Sequence, residues 1–167
     1  MVSLVERRQL QRSLIWATID GWVMRQGMSD TPPETDLDVI IEGDARACLA
    51  QLAAESVHCI VTSPPYYRQR DYSTPLQIGN EDTPEEYIHR LISVFDECLR
   101  VLRTDGTLWL NLGDKYMNGE LLGTPWRIAL ALKELGWLLR SDIIWHKPNA
   151  VPSSVKNRPT TDHEYLF

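Results

Sequence analysis

The chain has 167 residues, 43% of them apolar and 24% charged, with a formal charge of −6. That suffices for one domain-sized core, and the acidic balance excludes a protein that coats nucleic acid by bulk electrostatics, so any DNA contact must come from a local basic face. Cys48, Cys59 and Cys98 form no Cys-x-x-Cys pair, and His58, His89 and His163 have no partner at metal spacing, so no metal site is expected and the cysteines read as reduced core residues.

The N-terminal region carries Leu10, Leu14, Ile15, Ile19, Trp22 and Val23 at a spacing that suits an amphipathic helix, and a linker follows over residues 27–36. Residues 1–36 are therefore read as an extension and linker, with Met28 as an alternative start, and residues 37–167 as the main domain. Arg7, Arg8, Arg12, Asp20 and Arg25 interrupt any signal-peptide core. No run approaches the ~18 apolar residues of a membrane span, so a cytoplasmic protein without membrane contact is expected.

From Leu37 strands and helices alternate. Val39 to Ile41 reads as a short buried strand, and Asp44 stands where the N-cap of a helix carrying Ala45, Cys48, Leu49 and Leu52 belongs. Val57 to Val61 is the next strand, and a loop follows over Tyr67 to Asp82. Thr83-Pro84-Glu85-Glu86 predicts a capped helix whose apolar face runs from Ile88 to Leu102. Asp105-Gly106 is expected to turn the chain into a strand over residues 107–112. A helix opens at Thr124-Pro125, and strands are expected around Ile143 and from Glu164. This alternation implies an α/β fold with a mostly parallel sheet and helices on both faces.

The most informative segment is Thr62-Ser63-Pro64-Pro65-Tyr66. Two prolines cannot continue a central strand, so the chain leaves the sheet rigidly at Pro64. A hydroxyl, backbone carbonyls and an aromatic ring are thereby presented at a strand's carboxyl end, where open α/β sheets hold their ligands. Pro64-Pro65-Tyr66-Tyr67 also fits a peptide docked by small aromatic-groove modules, but such ligands lie in exposed segments and this one caps a buried strand.

Taken with residues 41–44, 103–114, 142–149 and 157–160, in that order, the segment resembles the amino-methylating DNA methyltransferases acting on cytosine N4 or adenine N6, in the permuted arrangement that puts the catalytic motif first. The resemblance implies a Rossmann-like class I methyltransferase sheet, S-adenosylmethionine as methyl donor and double-stranded DNA as partner. It implies that Ser63 Oγ and the Pro64 carbonyl accept from the target amine, with Pro65 fixing the loop and Tyr66 stacking on a flipped base. Serine at the first position leans toward cytosine N4. Asp44 and Asp114 become expected cofactor contacts, although Asp44 reads first as a helix cap and Asp114 suits the finish of a turn after Gly113 as well as a pocket. Arg68, Arg70, Lys147, Lys156 and Arg158 are candidates for the local basic face that touches phosphate.

One part of the pattern is missing. The family's glycine-rich donor loop has no counterpart, since Gly106, Gly113, Gly119, Gly123 and Gly136 are scattered singly. The fold is therefore expected to be incomplete, lacking a C-terminal cofactor-loop part or relying on a second chain that carries it. Alternative readings are an adenine-N6 enzyme, methylation of another amide or amine, and a non-catalytic DNA-binding remnant or subunit. An exposed sheet edge and uncovered apolar surface are expected.

Overall fold

The computed structural model describes residues 14–18, 21–24, 39–74, 77–150 and 154–167. Nine strands and three helices are found among them: β1 (Leu14–Thr18), β2 (Gly21–Met24), β3 (Val39–Ile41), α1 (Ala45–Leu49), β4 (Val57–Thr62), α2 (Pro84–Val101), β5 (Leu102–Leu112), β6 (Tyr116–Met117), β7 (Glu120–Leu121), α3 (Thr124–Glu134), β8 (Ile143–His146) and β9 (His163–Leu166).

Seven strands form one sheet in the order β3-β2-β1-β4-β5-β9-β8, and β6 and β7 make a separate small hairpin. The sheet is mixed. Its centre, β1-β4-β5, is parallel, whereas β1-β2, β2-β3, β5-β9 and β9-β8 are antiparallel. The connection from β3 through α1 to β4 therefore passes over β1 and β2.

The helix expected near the N-terminus is not formed. Residues 14–18 and 21–24 pair instead as antiparallel strands, with Ile15 opposite Met24 and Thr18 opposite Gly21. Short apolar runs are ambiguous by periodicity alone, and here pairing of β1 with β2 and β4 decides for extended chain, which the β-branched and aromatic residue types tolerate well. Leu10, Ile19, Met28 and the linker over residues 27–36 lie outside the described residues.

The turn expected at Asp105-Gly106 is likewise different, because β5 runs unbroken from Leu102. Val57 faces Leu102 but Cys59 already faces Thr107, so the intervening residues bulge from the ladder. Glycine is needed there: a Cβ on Gly106 would stand 2.8 Å from Leu102 Cγ.

Helix α2 organises the core. Thr83 Oγ1 accepts from Glu86 N and Glu86 Oε2 from Thr83 N, each at 3.2 Å, closing the predicted capping box. Its face Tyr87, Leu91, Phe95 and Cys98 is buried with Leu49, Ile60, Leu110, Leu112 and Ile128. Arg100 ties α1 to α2 by donating to the carbonyls of Leu49 and Leu52, both at 2.9 Å.

Helix α2 packs with both α1 and α3. Of the two sheet faces that were to carry helices, the one bearing Leu108, Leu110 and Leu112 is covered. The alternate residue Trp109 remains 42% exposed, and Ile144, Trp145 and Leu138 are more open still. Cys48, Cys59 and Cys98 are free thiols. No described helix is long and apolar enough to cross a membrane.

Candidate active site

Strand β4 delivers Ser63 to the carboxyl end of the parallel centre, and the double proline ends pairing there. The loop is braced from below. Tyr67 turns into the core, only 2% exposed, and its hydroxyl donates to the Asp82 carbonyl at 3.1 Å. Tyr87 Oη on α2 donates to the Pro65 carbonyl at 2.9 Å. Gly79, at φ 101°, lies so close that a Cβ would meet the Tyr66 carbonyl at 3.0 Å and Pro65 Cβ at 3.2 Å. Its amide donates to buried Glu81, whose other carboxylate oxygen pairs with Arg90 at 2.9 Å. Among the described residues no donor occupies the Pro64 carbonyl.

Tyr66 goes the other way from Tyr67. Its ring lies over Gly113, where an added Cβ would approach Cε2 to 2.7 Å. Its hydroxyl is 3.0 Å from Ser63 Oγ and donates to Glu164 Oε2 at 2.9 Å. Asn111 Nδ2 donates both to Tyr66 Oη at 2.9 Å and to Glu164 Oε2 at 2.7 Å. Lys147 Nζ closes the group on Glu164 Oε1.

Four elements thus meet behind the serine: the β4 exit, the end of β5, the residue after β8 and the start of β9. Burial pushes the Glu164 carboxyl upward, but hydrogen bonds from Lys147, Asn111 and Tyr66 outweigh it and leave the group below the usual glutamate range. The Tyr66 phenol is raised, chiefly by burial, with a smaller downward contribution from Ser63 and upward ones from Glu164. Asn111 Oδ1 is buried without a partner.

The other expected residues divide. Asp44 caps α1, accepting from Ala47 N at 2.9 Å, and is exposed. Asp114 has both carboxylate oxygens engaged: Oδ1 takes the Lys115 amide at 2.8 Å and the Thr124 amide and hydroxyl at 3.2 and 3.1 Å, while Oδ2 takes the Gly123 amide at 3.0 Å. It closes the loop between β5 and α3.

Arg68 braces its own loop through the Glu81 and Asp82 carbonyls. Arg158 lies 3.7 Å above the Tyr116 ring. Arg70 and Lys156 are exposed. Arg68, Asp114 and Arg158 share a polar cavity of about 480 Å³ with Gln69, Lys115 and Thr160. A larger, mostly apolar cavity of about 800 Å³, beside Trp109, Trp137 and Phe167, has no residue of the Ser63 loop in its lining. No metal-binding cluster occurs among the described residues.

Sequence reading missed Asn111, Gly113 and Glu164. Nothing local marks them, because Glu164 reaches Tyr66 across 98 residues and Asn111 looks like any outward residue of a strand.

The strand-end loop thus holds together a serine hydroxyl, a carbonyl without a donor among the described residues and an aromatic ring, at the carboxyl end of a Rossmann-like sheet of the class I methyltransferase type. The N6_N4_Mtase family of DNA methylases matches residues 57–167, and the chain belongs to that family. It is 45% identical to the Type II methyltransferase M.Cfr9I of Citrobacter freundii, over 81% of this chain and 55% of that one. It is 44% identical to M.SmaI of Serratia marcescens, over 77% and 54%. The chain thus spans about half the length of these relatives.

Among solved structures, it resembles the cytosine-N4-specific PvuII DNA methyltransferase with a TM-score of 0.60 and 25% identity, over 74% of this chain and 45% of that one. It resembles Thermus thermophilus TTHA0409 complexed with S-adenosyl-L-methionine with a TM-score of 0.58 and 32% identity, over 74% and 51%.

Proposed function

We propose that this chain carries the base-binding, catalytic half of a site-specific DNA methyltransferase that modifies the exocyclic amine of a flipped base, with cytosine N4 as the favoured target. The observation that carries the reading is the pair of acceptors at the strand exit, Ser63 Oγ and the unpartnered Pro64 carbonyl. An amine whose lone pair is delocalised into the ring is a poor nucleophile. Acceptors on its two N–H groups favour a more tetrahedral nitrogen and so strengthen it in the transition state. The cytosine preference draws on the serine and on the likeness to a cytosine-N4-specific structure.

Tyr66 offers a ring beside these acceptors, which offsets part of the few kcal/mol spent in unstacking the base. Arg70 and Lys156 are the exposed candidates for phosphate contact and Arg158, stacked over Tyr116, is a third, whereas Arg68 and Lys147 have hydrogen-bond partners within the chain. S-adenosylmethionine, when bound, supplies the methyl group. The residues present fit it only in part: Asp44 is exposed at a strand end, but Asp114 is fully engaged and no glycine cluster forms a cradle.

The test is transfer of labelled methyl groups to unmethylated bacterial genomic DNA, which contains every short recognition sequence, followed by nucleoside analysis. The expected product is N4-methylcytosine, formed only at millimolar donor. N6-methyladenine would move the target to adenine, and no labelled nucleoside would refute transfer by this chain. Calorimetric titration checks the donor separately: micromolar binding would contradict the partial fit.

A further inference from the structure

The hydrogen bonds behind Ser63 run in one direction, and Glu164 sets it. A hydroxyl has one proton to give, and an ionised carboxylate only accepts. Glu164 takes donors from Lys147, Asn111 and Tyr66, so the Tyr66 proton is committed to Oε2 at 2.9 Å. Tyr66 Oη is then left to accept, and it accepts from Asn111 Nδ2 at 2.9 Å. Ser63 Oγ, 3.0 Å away, must send its own proton inward to the same oxygen. Both Ser63 lone pairs consequently face away from the tyrosine. The amide orientation of Asn111 obeys the same constraint, since reversing it would press Oδ1 against the carboxylate.

We propose that Glu164 is a positioning residue for methyl transfer: through the Tyr66 hydroxyl its carboxylate turns the Ser63 hydroxyl inward, so that Oγ meets the target amine as an acceptor. This rests on the function proposed above. A neutral amide at position 164 both donates and accepts. Tyr66 could then give its proton to Ser63, and Ser63 would point a proton at an N–H group, donor against donor. Lys147 serves the same end by holding the other carboxylate oxygen, which gives this lysine a role other than phosphate contact. The arrangement also gives Asn111 a reason to be an amide, because a carboxylate there would repel Glu164.

The experiment compares the wild-type chain with Glu164→Gln and Glu164→Asp, and reads two quantities. The first is the ring-carbon NMR signal of Tyr66, assigned with Tyr66→Phe and followed from neutral to acid pH without substrate. It is expected to shift as Glu164 protonates, and to lose that step in Glu164→Gln. A Tyr66 signal indifferent to Glu164 overturns the proposal. The second is the kinetics of methyl transfer. Glu164→Gln is expected to lower kcat by roughly 10² to 10³-fold, the range for removing one aligned polar group from a transition state. KM for DNA should change little, and Glu164→Asp should recover part of kcat. Wild-type kcat in Glu164→Gln, or equal losses in both glutamate variants with KM risen in parallel, overturns the proposal. Should the wild-type chain transfer no methyl group, the functional reading fails, and the NMR titration alone decides whether Glu164 directs the serine.

Discussion

Replacing Gly113 by alanine tests the packing that holds Tyr66 in place. The new methyl would lie 2.7 Å from Tyr66 Cε2 and 2.9 Å from Cδ2, against about 3.5–4.0 Å for ordinary carbon contacts. Gly113 has no left-handed backbone angle, so the substitution acts through space alone. The ring must retreat by roughly 1 Å, which strains both the 3.0 Å link to Ser63 and the 2.9 Å bond to Glu164. Overpacking typically costs ~1–3 kcal/mol, and weakening a bond to a charged group adds on the order of 1 kcal/mol. The expected loss is therefore about 2–4 kcal/mol, or a melting temperature roughly 5–10 °C lower, measured by calorimetry. Methyl transfer should fall further than stability alone explains, because the serine loses its direction. In a Tyr66→Phe background the added penalty should be smaller, since the bonds to be strained are already gone. A Gly113→Ala protein within ~0.5 kcal/mol of wild type and fully active would refute this account.

Three further outcomes are expected. Thr83→Ala removes one half of the α2 capping box and should cost about 1 kcal/mol, seen in urea denaturation; no change in midpoint would contradict it. Tyr87→Phe deletes the 2.9 Å bond to the Pro65 carbonyl and should cost about 1–2 kcal/mol, with faster amide exchange in the loop after Thr62 as the local sign. Glu164, held below the ordinary glutamate value of 4.5, binds a proton less readily folded than unfolded. Its stabilisation is complete above that value and drains as the pH falls through the lower folded one. Glu164→Gln should flatten this acid limb of a stability-against-pH curve, and an unchanged limb would argue against it.

Local chemistry made much of this fold readable. The box at Thr83 and Glu86, the cap at Asp44 and the strand-breaking prolines each act within a few residues, and each is found where expected. The N-terminal strands were not readable, because Leu14 to Thr18 is too short for its period to separate helix from strand, and pairing with β4 decides the matter. The bulge before Thr107 was hidden for a related reason: only the register against β4 reveals that residues 103–106 stand opposite the single residue His58. At the site, Ser63 and Tyr66 announced themselves through their neighbours in sequence. The partners that give them direction are set by sheet topology, which one sequence does not display. Asp114 shows the ambiguity of a strand-end carboxylate, which suits a ligand or a helix amide equally: in this fold it accepts from the amides of Gly123 and Thr124.

Glu164 stands on a strand that pairs with β5 by a short ladder, Asn111 with Leu166 and Leu112 with Tyr165, continued by the two backbone hydrogen bonds that Leu110 and Phe167 exchange. Strand side chains alternate between faces, so sliding β9 by a single position would carry the carboxylate to the opposite side of the sheet. Such a misaligned molecule could keep its hydrophobic interior and still be chemically mute. On the reading proposed above, methyl transfer would thus be an audit of strand registration, made on β9 by a residue far along the chain from the serine it directs.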